Sequence, residues 1–142
     1  MQRVRAGALD AACIIVFVVI GRSSHTEGLS LDGVAGTSWP FLVGAAVGWA
    51  VARAWLRPMD IVPTGIVVWL STVAVGMLVR VAAGQGTAVA FVAVALGFLG
   101  LEILGWRALA RVVAPRWGNR TAKDDAHPPP HSRVRPGAGD RP

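Results

Sequence analysis

The chain has 142 residues, room for one domain, with 54% hydrophobic and 15% charged residues and a formal charge of +6 at pH 7. That balance argues against a soluble globule and for a membrane protein. The basic excess does not mark a nucleic-acid partner, because the arginines sit at the ends of apolar runs and in the tail without an aromatic-basic module, and the single cysteine, Cys13, excludes an internal disulfide or a cysteine zinc site.

Apolar runs near the length needed to cross roughly 30 Å of hydrocarbon fall at residues 6–22, 39–56, 61–80 and 87–106. Before the first run, Arg3 and Arg5 resemble the n-region of a signal peptide. Asp10 interrupts the stretch and no small-x-small cleavage site follows, so the segment is expected to stay as a span. A lipoprotein reading of the residues before Cys13 fails because the cysteine precedes the hydrophobic segment. Along this span Asp10, Ile14, Phe17, Gly21 and His25 recur at helical spacing. Residues 23–38, rich in Gly, Ser and Thr, read as a loop. The second run carries Gly44-x-x-x-Gly48 with Phe41, Ala52 and Trp55 at helical spacing, a signal for close packing that fits either an internal contact or a homodimer seam.

Residues 57–60, with Pro58, read as a tight turn. The third run places Gly65, Trp69, Thr72, Gly76 and Arg80 within a narrow arc. Small residues there permit close packing, and Thr72 is expected to bond a nearby helix or its own backbone carbonyl. Trp69 in mid-span needs a partner for its indole N–H. After a short loop at 82–86 the fourth run carries Glu102, and the stretch 107–113 extends it as an interfacial helix limited by Pro115, with Trp117 near the headgroups. The membrane domain is thus residues 1–114, and the basic, Pro- and Arg-rich segment 115–142 is expected to be a disordered cytoplasmic tail.

The expected fold is all-α: an integral membrane four-helix bundle with short connections and antiparallel neighbours. Arg3, Arg5, Arg53, Arg57, Arg107, Arg111, Arg116, Arg120 and Lys123 fall on one side and only Arg22 and Arg80 on the other. The positive-inside bias therefore places both termini in the cytoplasm and the protein in the inner (plasma) membrane.

Charges within spans are costly and so informative. Asp10 and Glu102 lie toward the cytoplasmic ends of their spans, Arg22 and Arg80 toward the outer ends, too far apart to pair. Each acid admits two readings: a carboxylate that takes a proton or cation during transport, or an ion pair with Arg53, Arg57 or Arg107, which for Glu102 points to nearby Arg107. Arg22, His25 and Arg80, with Glu27 and Asp32, form either an anion or headgroup site or a rim of snorkelling cations. Ser23, Ser24 and His25 form no nucleophile elbow, and Pro128, Pro129 and Pro130 forbid the helix that would align His127 with His131 as ligands. No catalytic residue, cofactor or metal is expected.

Taken in order, Asp10, Phe17-x-x-x-Gly21-Arg22-x-x-His25, Pro40-Phe41, Gly48-Trp49, Gly65-x-x-x-Trp69-x-x-Thr72-x-x-x-Gly76-x-x-x-Arg80, Phe91 and Gly105-Trp106-Arg107 resemble an uncharacterised family filed as domain of unknown function 3054. The resemblance covers about residues 8–112. It implies four spans and an actinobacterial or haloarchaeal source, and it carries no activity. The near absence of lysine beside the arginines agrees with a high-GC bacterial origin.

The expected function is that of a small non-enzymatic multi-pass protein. Its partners would be the lipid bilayer and either itself, as a homo-oligomer, or another membrane protein. The polar set expected to matter is Asp10, Arg22, His25, Trp69, Thr72 and Arg80, and the packing glycines are Gly44, Gly48, Gly65 and Gly76. The alternative is a homo-oligomeric small-solute or proton-coupled transporter of unknown substrate.

Overall fold

The computed structural model describes the backbone of residues 1–24 and 29–124 and the side chains of residues 1–24 and 29–113. The described residues form helices α1 (Gln2–Ser23), α2 (Leu31–Val51), α3 (Ile66–Ala82) and α4 (Val89–Asp124), with no strand. A wide helical turn at Ile61–Gly65 leads into α3 and contains an extended Val62 and a cis Val62–Pro63 bond. The apolar segments Gln2–Ser23, Leu31–Val51, Ile61–Ala82 and Val89–Val113 are 22, 21, 22 and 25 residues long. At 1.5 Å per residue each is long enough to cross about 30 Å of hydrocarbon.

Several boundaries differ from the sequence reading. The expected loop at 23–38 is shorter, because α2 starts at Leu31: Ser30 caps it by accepting a hydrogen bond from the Gly33 N–H (3.1 Å), and Asp32 lies in the positive first turn. Pro40 therefore lies inside α2 instead of at its entry. A proline leaves the carbonyl four residues earlier without its helical donor, and here the Gly36 carbonyl accepts from the side chain of Gln85 at 3.1 Å. At its other end α2 stops at Val51, short of residue 56, where Arg53 takes a left-handed φ of 49° that cannot continue a helix. Ala52 still caps the helix one turn beyond Gly48, its N–H bonded to the Gly48 carbonyl at 2.9 Å, whereas Trp55 sits in the following turn, off the Gly44–Gly48 face.

The helical backbone of α4 also runs past Pro115 to Asp124. Pro115 removes one backbone donor, which weakens a helix without forbidding it. The disorder expected of the tail from residue 125 onward lies outside the described residues.

The helices form a closed circuit in which α1 packs on α2, α2 on α3, α3 on α4 and α4 back on α1. The most intimate contact is α2 with α3. A Cβ on Gly44 would lie 2.7 Å from the Thr72 carbonyl, one on Gly48 2.9 Å from the Val68 Cα, and one on Gly76 2.8 Å from the Phe41 ring. Only hydrogen fits at these positions, and the Ser71 hydroxyl then reaches across to the Gly44 carbonyl at 3.0 Å. Gly44-x-x-x-Gly48 is thus occupied internally by α3.

All four phenylalanines of the chain meet in one cluster near the loop joining α3 to α4. Phe17 packs edge-on against Phe41 at 5.6 Å and lies within 6.0 Å of Phe91 and Phe98. Below them Ile14, Val68, Val73, Ala95, Leu99 and Ile103 fill the axis.

Candidate functional site

At the end of the bundle where α1 begins, the Asp10 carboxylate is the centre of a buried polar node. Arg107 from α4 donates through both terminal nitrogens, one to each carboxylate oxygen at 2.7 Å. The Trp49 indole N–H from α2 reaches Oδ2 at 2.8 Å, and that of Trp106 from α4 reaches Oδ1 at 2.9 Å. Arg107 also donates through Nε to the Pro58 carbonyl in the α2–α3 turn (3.2 Å) and through Nη1 to the Ile103 carbonyl (2.9 Å). Its guanidinium lies 4.4 Å from the Trp106 ring centroid. Asp10 is 1% exposed and Arg107 is fully buried.

The physical requirement is plain: two opposite charges out of water must satisfy each other's hydrogen-bonding capacity or they destabilise the fold. A carboxylate offers about four acceptor directions, and here four N–H groups fill them. The node ties α1, α2, the α2–α3 turn and α4 together at one level of the bundle. Asp10 therefore takes the ion-pair arrangement, with Arg107 as its partner.

Glu102 does not share that partner, contrary to the expected Glu102–Arg107 pair. The two are five residues apart on α4, a rotation of about 140° around the helix, so their side chains leave opposite flanks. Glu102 is part-exposed on the flank toward α1, within electrostatic reach of Cys13. Its Oε2 is buried and accepts no hydrogen bond among the described residues.

At the opposite end Arg22 donates to the Thr37 hydroxyl on α2 at 3.3 Å. Arg80 lies 4.8 Å from the Phe91 ring centroid and 5.9 Å from that of Phe41, and donates to the Gly86 carbonyl at 3.0 Å. His25 and Glu27, the remaining members of the outer cluster expected with Asp32, lie outside the described residues.

The Gly65–Arg80 stripe is shared between two neighbouring helices. Gly65 abuts Leu104 and Arg107 of α4, and the Trp69 indole wedges against Gly100 and donates to the Leu96 carbonyl at 3.0 Å. Thr72, fully buried on the α2 side, donates back to its own Val68 carbonyl at 2.7 Å, the local alternative anticipated for it. Trp49 and Trp106 were missed as partners of Asp10, and the Pro58 carbonyl as a partner of Arg107. The available signal was their level: in an antiparallel bundle, groups equally far from the same membrane face lie side by side, which brings the start of α1 to the ends of α2 and α4.

The profile of a family described as "Protein of unknown function (DUF3054)" matches residues 7–110. No curated protein and no solved structure matches the chain. The matched segment spans all four membrane-length helices and includes every residue of the Asp10 node, and the chain belongs to this family.

Proposed function

We propose that this DUF3054 member is a non-enzymatic plasma-membrane protein that inserts with both termini in the cytoplasm and works by associating with itself or with another membrane protein. The observation that carries this reading is Glu102: a carboxyl group at membrane depth, on an open flank of α4, with a buried oxygen that no described group satisfies. Polar atoms in hydrocarbon are costly unless partnered. A helix laid across the α1–α4 flank would supply the missing donor.

The orientation is supported by the excess of cationic residues at the end holding Asp10, where Arg3, Arg5, Arg53, Arg57, Arg107 and Arg111 gather against Arg22 and Arg80 at the other. The non-transporting character of a single copy is supported by an axis filled with phenylalanine and aliphatic side chains at one end and the Asp10–Arg107 node at the other. A second reading, a homo-oligomeric carrier, is favoured by the same carboxyl group, which would exchange a proton or a cation between copies.

Cys13 gives a direct test, because it is the one cysteine and lies on α1 near Glu102. Oxidation of native membranes with copper phenanthroline should give a disulfide-linked dimer that Cys13→Ser abolishes and Glu102→Leu diminishes at unchanged abundance. Failure to crosslink, together with the absence of a defined protein partner on purification in mild detergent, would refute association. Proteoliposomes that take up protons or a small cation only when Glu102 is intact would favour the carrier.

A further inference from the structure

Between α3 and α4, on the outside of the bundle, lies an open groove of about 550 Å³ walled by Trp69, Leu96, Leu101 and Leu104 and floored by Gly97, Gly100 and Gly105. It is apolar throughout, because the polar edge of Trp69 is already bound to the Leu96 carbonyl. The groove runs from Leu96 to Ala108 on α4. At 1.5 Å per residue that is about 18 Å, little more than half of the roughly 30 Å hydrocarbon thickness. A docked transmembrane helix needs a seam along the whole span, whereas one acyl chain occupies a single leaflet.

One end of the groove opens at Ile61 and Ala108, and the next charged groups beyond it are Asp60 and Arg111. These two form an ion pair at 2.6 Å with side chains 28% and 48% exposed. So exposed a pair gains little over separately solvated or newly partnered charges. It presents a guanidinium suited to phosphate next to a carboxylate suited to an ammonium donor.

We propose that this groove binds one acyl chain of a phosphoethanolamine lipid whose headgroup inserts into the Asp60–Arg111 pair, phosphate on Arg111 and ammonium on Asp60. The carboxylate supplies the selectivity. A choline headgroup has no N–H to donate to it, and an anionic glycerol headgroup brings a phosphate toward Asp60 with no cation to answer it. The site is independent of the Glu102 flank, which faces α1.

The full chain, purified in mild detergent, is offered equimolar dioleoyl phosphatidylethanolamine, phosphatidylcholine and phosphatidylglycerol, and its lipid adducts are read by native mass spectrometry. The ethanolamine lipid should be retained several-fold over the other two. Asp60→Asn should remove that preference. Gly97→Leu with Gly105→Leu should remove the tightly held lipid while circular dichroism stays unchanged, since nothing lies within 4 Å of a Cβ at either position. Equal retention of the ethanolamine and choline lipids, stronger retention of phosphatidylglycerol, or adducts unaffected by filling the groove would each overturn the assignment. So would a loss of dimer on filling it, which would mean that a second copy covers the groove. Should the double leucine variant fail to fold, the Asp60→Asn comparison alone decides.

Discussion

A carboxylate that already accepts from Arg107, Trp49 and Trp106 has no acceptor position left for a transported cation, and protonating it would leave the Arg107 charge buried without an answer. Asp10 is therefore a structural clamp, and breaking it from either side should be expensive. Asp10→Asn and Arg107→Gln are each expected to cost about 3–5 kcal/mol, because each leaves an uncompensated buried charge. The double variant is expected to be less destabilised than the sum by about 0.5–3 kcal/mol, since it removes both charges and keeps an acceptor for the indoles. Unfolding of the purified protein in lipid discs measures all four corners of that cycle; additive losses would show that the two side chains act separately. Arg80 offers a smaller effect of the same kind. Its planar guanidinium over Phe91 is replaced poorly by an ammonium, so Arg80→Lys should cost about 0.5–2 kcal/mol while preserving the charge.

At the scale of helices, glycine has two roles that look alike in the sequence. Gly44 is a point of backbone contact with α3, and Gly44→Ala would force a Cβ to 2.7 Å from the Thr72 carbonyl. The expected cost is about 1–3 kcal/mol from overpacking. Gly97 faces open space, so Gly97→Ala should be neutral or stabilising by up to about 1 kcal/mol through helix propensity. Thermal stability in detergent separates the two; equal effects would contradict the α2–α3 packing described here. The four helices of membrane-spanning length were legible because apolar runs of that length have few competing explanations. Their ends were not, because Ser30 capping, the Gln85 side chain bonded to the carbonyl freed by Pro40, and the left-handed Arg53 depend on local geometry that hydropathy does not register.

For the whole molecule, the sequence made Asp10 and Glu102 conspicuous as acids inside apolar segments, but not which of them would find Arg107. Proximity along the chain favoured Glu102; proximity in the bundle, set by antiparallel helices meeting at one level, gives Arg107 to Asp10 across 97 residues. That pairing makes α1 and α4 neighbours and brings the start of the first span and the end of the last to the same end of the bundle. The account consequently requires that the α1–α2 connection and the far end of α4 lie on opposite sides of the membrane. In a Cys13→Ser background, single cysteines placed at Leu29 and at Gly118 should respond differently to a membrane-impermeant maleimide applied to intact cells. The account predicts that Leu29→Cys is labelled from outside and that Gly118→Cys is labelled only after the membrane is opened; equal labelling of both in intact cells would contradict it.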